Sequence, residues 1–407
     1  MGEQPKISIS PLLHTEWNTQ TEMLEVQHRQ KSLFIGIPKE STLQENRVAL
    51  VPSSVTTLVA HGHRVIIEAG AGMKSNYSDR DYAEAGAEVV FDVTEVFKCN
   101  ILLKVAPPTF EEINLMHPNQ ILISPMQLAT IDANYILQLK QKRVIALAME
   151  YMQDQDGSFP IVRIMSEIAG ISAIQSAAEL MTTTHGGSGV LLGGVSGVAP
   201  AKVVILGAGV VAEFSTRAAL GLGAEVRIFD NNIYKLMRLQ KLIGRQLYTS
   251  SIDSNTLETE LLTADVVIGA IHSKSGRAPM IIQEDMVVRM KPGAVIVDVS
   301  IDQGGCFATS EVTSHDKPTF VKHGIIHYCV PNIASRTPRT ASMAVSNILT
   351  PLLLKTQFTG SIEDLLYSDH GLRNGVYTFK GHVTNDYIGT RFGIKTTSLE
   401  LLLTSNL

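Results

Sequence analysis

Cysteine is scarce in this chain. Its 407 residues include three, Cys99, Cys306 and Cys329, far apart and without a C-x-x-C pair. That excludes a disulfide framework and a thiolate zinc site. It fits a reducing compartment, so a cytoplasmic protein is expected. Basic charge is not in excess either. Lys and Arg number 34 against 39 Asp and Glu, a net charge of −5, which leaves no electrostatic footprint for nucleic acid. The 12 histidines lie mostly in polar loops. No carboxylate–histidine cluster asks for a metal, and no G-x-S-x-G marks a serine nucleophile. Long apolar runs are missing too. Residues 1–32 have no apolar core of the kind a secretory signal needs. Gly189–Ala212 carries a single charge, Lys202, but its glycines and Pro200 read as a connector into a buried strand, not a membrane span. There is no solenoid repeat and no low-complexity run.

What is there is core-forming sequence, 44% hydrophobic and 18% charged, in a chain long enough for two domains or more. Residues 1–32 read as a polar arm. From Leu33 a regular alternation begins. Strands are expected at Leu33–Ile37, Arg64–Glu68, Glu88–Val90, Ile101–Val105, Gln120–Ser124 and Val144–Ala148, with helices between them. This β-α-β rhythm predicts a mostly parallel sheet covered on both faces. A long helix, Ile161–Leu180, leads to a second α/β unit that runs to about residue 335. Another helix, Ser335–Lys355, returns to the first. Residues 356–407 read as less regular, with polar turns at Ser368–Asn374 and Thr390–Gly393. The expected fold is α/β, two Rossmann-like doubly wound parallel-sheet domains joined by long helices, with a cleft between them. The first domain comprises 33–165 and 336–407, and the second 166–335.

The second unit opens on the most informative stretch. Val203–Leu206 is a short apolar run that suits a strand buried on both faces. It ends in Gly207-Ala208-Gly209-Val210-Val211-Ala212, a G-x-G-x-x-A turn, followed by an Ala- and Leu-rich helix that Gly223 stops. A second strand, Glu225–Phe229, runs into Asp230. Gly207 permits the tight turn, Gly209 lets the backbone approach a pyrophosphate, and Ala212 lets helix and strand pack closely. Amides at the helix start then face the phosphates. Asp230 would bond ribose hydroxyls and repel a 2′-phosphate, which favours NAD over NADP.

Ligands in open α/β sheets lie beyond the carboxyl ends of strands. That rule selects Lys104, Gln127 and Asp302, each at or just past the end of an expected strand, and Arg47 in the loop before Val48-Ala49-Leu50. A guanidinium can hold a carboxylate through two parallel hydrogen bonds. A lysine can polarise a carbonyl, and an aspartate near a nicotinamide can handle protons. Each has a plainer reading. Arg47 or Lys104 alone could be a solvated charge, and Asp302-Gln303-Gly304-Gly305 could be only a turn.

Several stretches together carry a family resemblance. Ile35–Glu40 (IGIPKE) and Asn46–Pro52 (NRVALVP) resemble the opening of alanine dehydrogenases and of transhydrogenase alpha subunits. Glu68–Gly72 (EAGAG), Leu103-Lys104-Val105, Met165–Gly170 (MSEIAG), Gly193–Pro200 (GGVSGVAP), Met290–Gly293 (MKPG), Val297–Cys306 (VDVSIDQGGC) and His327–Asn332 (HYCVPN) continue the resemblance in order over about residues 33–355. It implies reversible NAD-linked oxidative deamination of L-alanine to pyruvate and ammonium by a homo-oligomer, usually a hexamer. It implies Arg47 on the substrate carboxylate, Lys104 at the carbonyl or amine end, and Asp302 as the acid near the nicotinamide. Ser166, Gly207, Gly209, Val210, Val211, Ala212, Asp230, Ile301, Asp302 and Asn332 would contact NAD. One departure matters. Where alanine dehydrogenases have a histidine in a sequence like L-H-L-A, this chain has Met126-Gln127-Leu128-Ala129. Gln127 can hydrogen-bond but cannot shuttle a proton near neutrality. Asp302, Lys104 or water would have to compensate. The alternatives are a transhydrogenase alpha-like NAD(H)-binding component and a non-catalytic NAD-binding relative. His272 is a second departure, on the cofactor side.

Overall fold

The computed structural model describes residues 32–404, apart from 43, 129, 274 and 275. The expected N-terminal arm therefore lies outside the described residues except for Ser32. Six strands form the parallel body of a first sheet: β1 (Phe34–Ile37), β2 (Arg64–Glu68), β3 (Glu88–Val90), β4 (Ile101–Leu103), β5 (Ile121–Ser124) and β6 (Ile145–Ala148). A second sheet contains β7 (Lys202–Leu206), β8 (Glu225–Phe229), β9 (Tyr248–Ser250), β10 (Val266–Gly269), β11 (Val295–Asp298), β12 (Thr319–Lys322) and β13 (Ile325–Tyr328). The first sheet is completed by β14 (Val376–Phe379) and β15 (His382–Val383).

The strands run β3-β2-β1-β4-β5-β6 in one sheet and β9-β8-β7-β10-β11-β13 in the other. Both are the doubly wound order, with the strand order reversing beside β1 and beside β7, where such folds open a crevice. The strands are short and buried on both faces, as in β4, β5, β6, β10 and β11. Continuous apolar runs without alternation are what helices on both faces of a sheet require.

Both sheets are mostly parallel, as expected, with antiparallel additions where β12 lies on β13, β14 on β6 and β15 on β14. One expectation is corrected. The tail is more regular than its polar turns suggested. Asp369 caps a short helix at His370–Arg373, within the stretch read as a turn. Gly393, at φ 66°, closes the helix Asp386–Phe392. Those turn residues mark helix ends rather than loops.

Two long helices tie the sheets together. The first, Pro160–Leu180, packs so closely on the helix Val210–Gly221 that a Cβ on Gly170 would lie 2.5 Å from the Val211 carbonyl oxygen. The second was expected from Ser335. It begins at Pro338, after a single 3-10 turn over Ile333–Arg336. Proline disfavours helical backbone in the residue before it, and Thr337 sits at φ −118°, ψ 63°. This helix returns to the first domain, where Ser342 and Ser346 accept the amides of Val48 and Val51. The Arg47 loop is thereby fastened to the chain's return crossing.

Candidate active site

The glycine turn is built as its sequence demands. Gly207 follows β7 at φ 109°, and a Cβ there would lie 2.4 Å from the Ala270 carbonyl oxygen beyond β10. Gly209 caps the helix Val210–Gly221 without a side-chain bond. A Cβ at Gly209 would meet nothing within 4 Å, so that side of the turn is open. The first intrahelical bond runs from Glu213 N–H to the Gly209 carbonyl, which leaves the Val210, Val211 and Ala212 amides at the free helix start. Asp230 is buried and accepts the Ala208 amide at 2.8 Å and the Asn232 amide at 2.7 Å. It therefore fastens the turn as well as ending β8. Open backbone, free amides and a carboxylate at the second strand fit a dinucleotide.

Opposite this turn in sequence, Arg47 is buried and pairs with Glu45 through two bonds, Nε to Oε1 at 2.7 Å and Nη2 to Oε2 at 2.6 Å. Its Nη1 points to the Met165 sulfur at 3.0 Å. Glu45 also accepts Asn332 Nδ2 at 2.7 Å and the Ser335 hydroxyl at 3.1 Å. Burial alone would raise the Glu45 carboxyl. The charge and hydrogen bonds of Arg47 and Asn332 outweigh burial and hold it below the usual value. Asn332 adopts a left-handed conformation at φ 55°, and its amide donates to Asp302 Oδ1 at 3.0 Å. One carboxylate thus joins the Arg47 loop of the first domain to the Asn332–Asp302 corner of the second.

Asp302 lies on the 3-10 turn Val299–Gln303 directly after β11, beside buried Ile301. Asp302 is exposed at this corner, with buried Ser300 and Ile301 just before it. Desolvation raises its carboxyl above the ordinary value and Asp298 adds to the effect, while the Asn332 amide and Arg47 oppose it. A raised carboxyl at a solvent-reachable corner suits an acid or base.

Lys104 follows β4 and is almost wholly buried. Its Nζ stands 2.9 Å from Glu40 Oε2 and 2.9 Å from Glu112 Oε1. Burial would lower its pKa, but the two carboxylates raise it, so Lys104 stays charged. Glu112 also closes the capping box of the helix Phe110–Leu115 with Thr109. Glu40 acts electrostatically on both Lys104 and Arg47. Lys104, Arg47, Glu45 and Asp302 therefore belong to one charged group.

Gln127 follows β5 in a left-handed conformation, φ 48°. Its amide and that of Met126 both donate to Glu150 Oε1, at 3.1 and 2.8 Å. Its half-buried side chain makes no hydrogen bond among the described residues, so none joins it to Arg47 or Asp302. Ser166 is half-buried on the helix Pro160–Leu180 and also makes no bond there. His272 is exposed beyond β10. Among the described residues no group of three or more His, Cys, Asp or Glu could hold a metal ion. Sequence reasoning missed Glu40, Glu45 and Glu150. Glu40 closes the stretch Ile35–Glu40 and Glu45 stands just before Asn46–Pro52, but nothing local says that either acts on Arg47 or Lys104. Nothing in the sequence signals Glu150.

The chain matches the alanine dehydrogenase/PNT N-terminal domain over residues 36–169 and the alanine dehydrogenase/PNT C-terminal domain over residues 173–386. It is 40% identical over 369 residues to alanine dehydrogenase 2 of Staphylococcus aureus strain USA300, covering 90% of this chain and 98% of that protein. Its fold superposes on an L-alanine dehydrogenase at TM-score 0.83 and 39% identity, covering 88% of this chain and 99% of that one. A transhydrogenase from Sinorhizobium meliloti superposes at TM-score 0.74 and 23% identity, covering 87% and 99%, a likeness of fold alone.

Proposed function

The chain belongs to the alanine dehydrogenase/PNT family, and from that premise we propose that it catalyses the reversible NAD-dependent oxidative deamination of L-alanine to pyruvate and ammonium. The observation that carries this reading is the Glu45 bridge. It joins Arg47, the candidate carboxylate ligand, to Asn332 and Asp302, the candidate cofactor-side residues, across the two domains.

Arg47 holds the substrate carboxylate. Nε and one Nη2 hydrogen are committed to Glu45 and one Nη1 hydrogen faces the Met165 sulfur, so the remaining hydrogen on each terminal nitrogen is what the ligand would take. Lys104, kept charged by Glu40 and Glu112, presents positive potential to the oxygen of the 2-oxo acid. Gly207, Gly209 and the Val210, Val211 and Ala212 amides would hold the pyrophosphate and Asp230 the ribose, and Ser166, Ile301 and Asn332 would also contact NAD. Bound NAD supplies the hydride acceptor. Asp302 takes the proton of the water that adds to the imine carbon and returns it as the amine departs. Among the described residues no helix is long and apolar enough to cross a membrane. The protein works on small molecules, as a homo-oligomer that the family resemblance makes a hexamer, in the cytoplasm.

The test is NADH oxidation with ammonium and a panel of 2-oxo acids. Pyruvate should turn over fastest. Asp302→Asn should lower kcat/KM by about 10²–10⁴ while NADH binding, followed by fluorescence, is kept. A wild-type protein that binds NADH but reduces no 2-oxo acid would overturn the reading and favour a cofactor-binding role.

A further inference from the structure

Gln127 removes an ionisable side chain from the carboxyl edge of the first sheet, and the residue directly behind it is ionisable. Glu150 lies in the turn Met149–Tyr151 after β6. One of its oxygens, Oε1, accepts the amides of Met126 and Gln127 and so fixes the left-handed bend of that corner. The other, Oε2, is buried and has no partner among the described residues. No lysine, arginine or histidine pairs with this carboxyl among the described residues.

Three hydroxyls lie nearby. Ser124 at the end of β5, Tyr135 on the helix Ala133–Gln141 and Tyr377 on β14 bury side-chain oxygens that form no well-aligned hydrogen bond among the described residues, although Tyr377 lies within side-chain hydrogen-bonding reach of both Tyr135 and Ser124. They lie in mutual electrostatic reach: Tyr377 feels Tyr135, Glu150 and Ser124, and Tyr135 feels Tyr377, Glu112 and Glu150. Glu112 is the carboxylate that holds Lys104. The other titratable neighbour is Tyr151, which is exposed, with Tyr387 and Arg391 beyond it. Buried polar atoms are nearly always satisfied, by water where protein does not reach, and a water needs two to four polar partners, roughly what this cluster offers. The cluster thus spans from the Lys104–Glu112 pair to the Glu150–Gln127 corner, all of it at the carboxyl ends of β4, β5 and β6.

We propose that Glu150 is the proton acceptor that takes over from an ionisable residue 127, reached from the cleft through the Tyr135, Tyr377 and Ser124 hydroxyls and internal water. This rests on the dehydrogenase reading given above. Alanine arrives as an ammonium, which must lose a proton before hydride can leave its α-carbon. In the step one N–H bond of the substrate breaks and its electron pair stays on nitrogen. One O–H bond forms at Glu150 Oε2, and each intervening oxygen gains one proton and passes one on. No electron changes hands. Asp302 keeps the separate task of the water proton. Burial raises the Glu150 carboxyl above its ordinary value, against the two amides, which moves it towards the pH at which such a group both takes and gives a proton. Glu150 acts through other groups, so it is a positioning and proton-storing residue.

Glu150→Gln separates this role from a structural one. The amide keeps a carbonyl oxygen for the Met126 and Gln127 N–H groups and loses only the titration. Expected are wild-type melting behaviour, a fall in kcat for alanine of about 10²-fold, and the loss of one ionisation from the pH profile of kcat. An active Glu150→Gln variant with an unchanged profile overturns the proposal. A second readout needs no turnover. Difference infrared spectra of the protein without ligands, taken across the acidic range, should show a carboxylic-acid carbonyl band that persists above the normal glutamate range. The band should vanish in Glu150→Gln and shift in Tyr377→Phe. Its absence from the wild type, or its indifference to Tyr377→Phe, also overturns the proposal. If the wild type instead fails to turn over any 2-oxo acid, the dehydrogenase reading falls and the infrared result still decides what Glu150 does.

Discussion

Glu45 shows what a single residue contributes here. It is 1% exposed and accepts from Arg47, Asn332 and Ser335 together. A buried ion pair adds little net stability against an apolar substitute, but removing one partner strands the other charge. Glu45→Gln should therefore cost about 3–5 kcal/mol and raise KM for pyruvate, because Arg47 loses the group that orients it. The pH dependence follows from the lowered folded-state carboxyl. The unfolded chain holds this proton more tightly, so the stabilisation is present above the unfolded glutamate value and is lost as pH falls through the lower folded one. Melting temperature against pH should show that acid limb in the wild type and a flatter one in Glu45→Gln. An identical limb in both would contradict the role given to the pair. Lys104 and Asp302 stood out in the sequence by motif and strand-end position together, and Arg47 by its motif alone. Glu40, Glu45 and Glu150 did not, because a carboxylate that acts on another side chain is recognised only once the fold places the two together.

At the scale of elements, the β7 turn separates two kinds of glycine. Gly207 combines φ 109° with a backbone oxygen 2.4 Å from where a Cβ would go, whereas the space at Gly209 is open. Gly207→Ala should destabilise the protein by about 1–3 kcal/mol and abolish NADH binding with it. Gly209→Ala should leave stability within about 0.5 kcal/mol yet weaken NADH binding, since its methyl fills the space the pyrophosphate needs. Melting curves beside a fluorescence titration separate the two. Equal stability losses would mean that Gly209 serves packing and not a ligand. This turn was readable because strand, glycines, helix and acid stand in fixed order. The tail was not. β14 is a four-residue buried strand whose partner, β6, lies far away in sequence, and no local pattern reveals a pairing of that kind. The start of the return helix was readable from Thr337-Pro338, since proline restricts the residue before it, although the outer bound Ser335 took in the preceding 3-10 turn.

At the scale of the whole molecule, two sheets of the same strand order are joined into one site. The return helix brings Ser342 and Ser346 back to the Arg47 loop, and Glu45 reaches across to Asn332. The alternation of strands and helices made the doubly wound sheets legible. The antiparallel strands β12, β14 and β15 were hidden because edge additions leave that rhythm unchanged. The central claim is that this assembly, with Gln127 in place of histidine, still moves hydride from the α-carbon of alanine to the nicotinamide. The most direct measurement uses L-alanine carrying deuterium at that carbon, with mass analysis of the NADH formed. The account predicts NADH that carries the deuteron, formed more slowly than from ordinary alanine, with pyruvate in equal amount. NADH without deuterium, or no NADH from a protein that binds NAD, would contradict it.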